Sequence, residues 1–183
     1  VAADDSGSLN ENETLSKAEA EGLIINDSDE DVDDILTISS FHVGFSDTDS
    51  PRYGQFNTAL DGIYGQLTLQ TDGSYTYAAN KASSDELTTG ESGTDTFSYT
   101  LSDSEETDQA ELTITIAGVN DNPYLVDVIK VKKYIEGQGN VIVIDGSLDI
   151  RDVDDANIES ATVSISDSTY VSTEDQLAFS DAY

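Results

Sequence analysis

The chain has 183 residues, 38 acidic side chains against 7 basic ones, a formal net charge of −31, and no Cys, Met or Trp. Seven scattered Lys and Arg cannot lay the basic footprint that displaces counterions from nucleic acid, so nucleic acid is excluded as a partner. Without Cys there is no disulfide scaffold or thiolate metal site, and no apolar run approaches the roughly 20 residues that would insert in a bilayer.

In chain order, Ser16-Lys17-Ala18-Glu19 fits a capping box that Gly22 can close, which predicts one short helical turn. Asp34–Ser40 predicts a short strand. Gln66–Gln70 and Ser74–Tyr77 flank Thr71-Asp72-Gly73, a hairpin signal because Gly takes positive φ without a Cβ clash. Asp95–Ser102 alternates Phe97, Tyr99 and Leu101 with polar residues, and Gln109–Ala117 alternates Leu112, Ile114 and Ile116. Nine Tyr and five Phe supply core material that a disordered acidic tail lacks. Short strands with frequent turns predict an all-β antiparallel sandwich.

The pattern resets near residue 120. Gly118-Val119-Asn120-Asp121-Asn122-Pro123 closes one strand system, and Tyr124–Lys132 opens another alternating run. Residues 1–121 hold 26 acids and 3 bases, net −23, at a comfortable single-domain length. Residues 122–183 hold 12 acids and 4 bases, net −8, and are few enough for a core to be marginal. They read as the N-terminal part of a second sandwich. The chain starts without Met and stops mid-pattern, which reads as a piece of something longer.

Asp outnumbers Glu 25 to 13, a bias that points to loops and oxygen-ligand sites. The densest feature is Asn26–Asp34, with carboxylates at Asp27, Asp29, Asp31 and Asp33, followed by Asp34. Such spacing is self-repelling at neutral pH, and Ca²⁺ relieves it by taking six to eight oxygens at about 2.3–2.6 Å. The loop is not an EF-hand: counting from Asp27, Val32 stands where the turn Gly belongs and Ile38 where the bidentate Glu belongs. Spacing and Asp identity favour a metal over a merely solvated acidic loop. Asn120-Asp121-Asn122 forms a second cluster, and Asp152-Val153-Asp154 repeats the alternate spacing. Glu136 is an isolated acid in an apolar context, and Asp5 and Asp103 complete the candidate calcium ligands.

Tyr64-Gly65-Gln66-Leu67-Thr68-Leu69-Gln70-Thr71-Asp72-Gly73-Ser74-Tyr75-Thr76-Tyr77 resembles the core signature of the VCBS repeat of very large bacterial surface proteins. Asn26–Asp29, Leu36-Thr37, Asp95–Asp103 and Gly118–Pro123 follow in that family's order, so the resemblance spans nearly all of residues 1–123. The closing motif is also similar to the linker of cadherin repeats, where Asn-Asp-Asn chelates calcium between tandem domains. Residues 134–179 look like the opening of a related cadherin-like repeat, through Glu136-Gly137, Leu148–Asp154 and Ala161–Ile165. The resemblance departs at Phe41–Leu60, which is longer and richer in aromatics, and at Ser104-Glu105-Glu106.

This resemblance implies tandem immunoglobulin-like or cadherin-like β-sandwiches in a calcium-dependent RTX-type adhesin, secreted by a type I system to the bacterial cell surface. The expected partners are neighbouring tandem repeats, with Asn120, Asp121 and Asn122 sharing calcium with Glu136, Asp152 and Asp154 to stiffen the junction. A second reading is a module binding surface glycans or proteins through an aromatic platform of Tyr53, Phe56, Tyr64, Tyr75 and Tyr77, against ordinary core packing of the same rings. An enzyme is not expected, since no G-x-S-x-G or H-E-x-x-H occurs and His42 is the only histidine.

Overall fold

Alternating runs become strands here because each places its apolar side chains on one face at period 2. The computed structural model describes residues 1–31, 33–44, 52–126, 149–155, 157, 158, 160 and 162. The chain separates into two units, Val1–Asn122 and Pro123–Tyr183.

In the first unit, β1 (Asp5–Asn10), β3 (Thr37–Val43), β7 (Ser92–Ser102) and β8 (Thr107–Ala117) form a sheet ordered β1-β8-β7-β3. A second sheet, ordered β2-β6-β5-β4, contains β2 (Thr14–Lys17), β4 (Leu60–Asp61), β5 (Gln66–Leu69) and β6 (Tyr75–Ala78). Their inner faces meet over Phe41, Leu67, Leu69, Tyr75, Tyr77, Phe97, Tyr99, Leu112, Ile114 and Ile116, all buried. This is the all-β sandwich that the alternation predicts.

The β5–β6 hairpin forms around Asp72-Gly73, with Gly73 at φ +80°. Asp72 Oδ1 accepts the Ser74 N–H at 3.0 Å and the Ser74 hydroxyl at 2.6 Å, which hold its carboxyl below the ordinary range. Two expectations need correction. Ser16 lies in β2 opposite Thr76, and the turn that follows, Glu19–Glu21, is 3-10 with no side-chain cap. Cross-strand pairing with β6 outweighs the local capping signal. The strand predicted at Asp34–Ser40 instead begins at Thr37 and runs to Val43, because its partner on β7 ends at Ser102.

β1, like β2 and the short β4, is a strand that the alternation did not announce. It lies parallel to β8, Asp5 opposite Leu112 and Asn10 opposite Ala117. Asn12, at φ 61°, then turns the chain across to the other sheet. The pairings fix two poles. At one, Thr37, Ser102 and Thr107 end their strands; at the other, Asn10, Ser92 and Ala117 do.

In the second unit, β9 (Tyr124–Val126) pairs antiparallel with β10 (Asp149–Arg151). Residues 127–148, among them Glu136, lie outside the described residues, as does most of Ala161–Ile165.

Candidate metal centre

At the first pole the β7–β8 connection carries Asp103, and the acidic loop passes beside it. Asp29, Asp34 and Asp103 each place a carboxylate oxygen within 4.8 Å of the other two. Two oxygens that are each about 2.4 Å from one ion lie no more than about 4.8 Å apart, so the spacing fits a shared hard cation. The all-oxygen donor set fits calcium and disfavours soft metals.

Each carboxylate is oriented locally. Asp103 Oδ1 accepts the N–H groups of Glu106 and Glu105, both at 2.7 Å, which hold its carboxyl below the ordinary range. Asp29 Oδ1 accepts the Asp31 N–H at 2.9 Å. Desolvation, then the charges of Asp31, Asp103, Asp29 and Glu105, push the Asp34 carboxyl up. The carboxyls of Asp103 and Asp34 are thus shifted in opposite directions.

Asp27 turns inward, away from this group. Its Oδ1 accepts the Ala3 N–H at 2.8 Å, and its Oδ2 is shielded from solvent with no hydrogen-bond partner among the described residues. Beside it Asp5 Oδ2 accepts the Tyr99 hydroxyl at 2.8 Å, and that hydroxyl also lies 3.0 Å from the Ala3 carbonyl. Burial raises the Asp5 carboxyl to about 6 against the Tyr99 hydrogen bond, with further increments from Asp27 and Asp4. Burial and the hydrogen bond to Asp5 also raise the Tyr99 phenol. Asp31 and Asp33 remain exposed outside the triad.

The opposite pole contains an acid that the sequence reading missed. Glu11, 1% exposed, sits in the β1–β2 crossing, and its Oε1 accepts the Val119 N–H at 2.6 Å. Glu11 Oε2 and Asp121 Oδ2 are both shielded from solvent. Asn120 and Asn122 are exposed, and Asn120 Nδ2 donates to the Asp121 carbonyl at 2.6 Å. Glu11 has no periodic signal of its own; only the parallel register of β1 on β8 brings it to Val119. In the second unit, Asp152 Oδ1 accepts the N–H groups of Asp154 (2.9 Å) and Asp155 (3.2 Å), so Asp152 closes a local turn.

A second missed acid is structural. Asp95 on β7 is 3% exposed and accepts the N–H groups of Ile63 (2.7 Å), Tyr64 and Gly65 (3.1 Å each) and the Tyr77 hydroxyl (2.6 Å). It pins the β4–β5 loop of one sheet to a strand of the other. A Cβ at residue 62 would lie 2.1 Å from Asp95 Oδ2, so Gly62 is what lets the carboxylate in. The aromatic platform is also revised: Tyr75 and Tyr77 are core, Phe56 and Tyr64 pack against it, and Tyr53 alone of the five is exposed.

No helix among the described residues is long and apolar enough to cross a membrane. Compared with known families, residues 1–118 match the bacterial cadherin-like domain. No curated protein matches the chain.

Proposed function

Because the chain belongs to the bacterial cadherin-like domain family, we propose that it is a calcium-stiffened extender or adhesion module of a large bacterial surface protein. Domains of this family are typically structural or adhesion modules and usually extracellular. The observation that carries the reading is the convergence of Asp29, Asp34 and Asp103 on one pole of the sandwich.

Asp29 and Asp34 belong to the acidic loop and Asp103 to the β7–β8 connection, so a shared ligand would staple segments some 70 residues apart. Bound calcium would supply charge neutralisation there. The carboxylates provide the cradle: the backbone N–H bonds to Asp103 and Asp29 hold their oxygens in place before any ion arrives. The VCBS resemblance and export to the cell surface belong to this reading.

Thermal unfolding with calcium and with EDTA at low salt tests it. Calcium at 100 times its Kd adds about 2.7 kcal/mol, a rise in Tm on the order of 10 °C for a domain of this size. Asp103→Asn should shrink that rise without abolishing folding. An identical Tm in calcium and EDTA would sink the proposal.

A further inference from the structure

Among the described residues, two of the three most exposed large apolar side chains line one groove: Ile35 is 79% exposed and Ile25 66%. The groove has a volume of about 440 Å³, within the range that holds ligands. Ile24 and Leu36, which pack against the core, line it as well. It opens between the β5–β6 turn and the acidic loop with its preceding 3-10 turn, Leu23–Asn26. Backbone hydrogen bonds tie the two together. The Leu23 N–H donates to the Gly73 carbonyl at 3.0 Å, and the Ile38 N–H to the Thr71 carbonyl at 2.9 Å. The groove is therefore preformed, which keeps the ordering cost of docking low.

Glu19 and Asp72 line the same groove, and among the described residues no Lys or Arg does. Asp33 and Asp34 directly precede Ile35 in the chain. Apolar surface left open beside charged walls marks an interaction face, and the walls decide what can cover it. A second copy docking through the same face would set Glu19 and Asp72 against their own counterparts, and like charges brought together across an interface suppress association. A neutral apolar segment would desolvate the carboxylates with nothing to pair them. An apolar segment with cations at its ends meets both demands.

We propose that this groove docks a short apolar peptide segment flanked by Lys or Arg, borne by a partner protein. The aliphatic centre of the segment covers Ile24, Ile25, Ile35 and Leu36, and its flanking cations meet Glu19 and Asp72. At physiological salt, charges beyond about 8 Å are largely screened, so these adjacent carboxylates select the cations, rather than the net −23 of the first unit. The site is independent of the calcium reading, since none of the lining residues belongs to the triad of Asp29, Asp34 and Asp103.

The test is fluorescence anisotropy of the labelled peptide Lys-Lys-Leu-Ile-Val-Leu-Lys-Lys with the whole chain, at physiological salt, in calcium and in EDTA. It is run at a temperature where circular dichroism shows the native fold for each variant. The native sequence should bind the peptide in at least one of the two buffers, and more tightly than peptides with a Ser centre or with Glu flanks. Ile25→Ser and Ile35→Ser should each weaken binding about tenfold, the scale of one aliphatic side chain's burial. Glu19→Lys should weaken it about threefold or more and flatten its salt dependence. Ile63→Ser, at an exposed isoleucine of the β4–β5 loop, should leave it unchanged. No binding in either buffer, binding unmoved by both groove isoleucine variants, or an equal loss in Ile63→Ser would overturn the proposal. So would equal binding of the Ser-centred or Glu-flanked peptide, or self-association of the native sequence that Ile35→Ser abolishes.

Discussion

Asp95, buried, and Asp5, half-buried, show how differently two carboxylates can be treated by one domain. Asp95 is given four donors, and removing half its accepting power leaves buried N–H groups unmet. Asp95→Asn should therefore cost about 2–4 kcal/mol in urea unfolding. Asp5 has one strong donor and two acidic neighbours, and its carboxyl is raised to about 6. A raised carboxyl binds protons in the folded state at pH values where the unfolded chain has released them. Its contribution to stability thus falls as pH rises from about 4 to about 6. Asp5→Asn keeps an acceptor for Tyr99 and removes the charge. In EDTA, the variant should gain stability over the native sequence as pH rises from 4 to 7, read as the difference between two Tm-against-pH curves. Parallel curves would remove Asp5 from the account. The lowered carboxyls of Asp61, Asp72, Asp103 and Asp108 act with the opposite sign, losing stability as pH falls, which is why the difference and not either curve isolates Asp5.

Among the elements, those built on local chemistry were legible. The β5–β6 hairpin follows from Asp72-Gly73 between two alternating runs, and β7 and β8 from their apolar parity. Gly73→Ala should cost about 1–2 kcal/mol, because φ +80° strains any Cβ and that atom would lie 2.9 Å from Ile24 Cγ1. A chemical-denaturation midpoint unchanged in this variant would mean that the turn relaxes freely. Asp95 was also readable in principle. It shares parity with Phe97, Tyr99 and Leu101, so the alternation already pointed its carboxylate into the core. β1 was not readable, since its register is set by a partner a hundred residues away, and a parallel edge strand whose only large apolar side chain is Leu9 has no apolar rhythm. The 3-10 turn misled because a capping box is worth about 1 kcal/mol, less than the pairing that draws Ser16 into β2.

For the molecule as a whole, the acid balance is the dominant variable. Unscreened carboxylates at one pole oppose the compact state, so added sodium chloride should stabilise the calcium-free form modestly. If the proposed site takes calcium, millimolar calcium should do far more than the same ionic strength of sodium, because a coordinating ion would tie together two ligand segments that screening only relaxes. Equal stabilisation by the two salts, measured as Tm at matched ionic strength, would reduce the effect to screening. By itself the sequence determined the strand-rich class, the hairpin and the parity of the core, all of which depend on neighbours in the chain. Only the tertiary structure decided which acids meet. Asp29, Asp34 and Asp103 converge while Asp27 turns to Asp5, and Glu11 reaches Val119 although nothing in its local pattern marks it. Carboxylate chemistry acts over a few ångströms, and such proximity between distant segments is set by strand register, which no local spacing encodes.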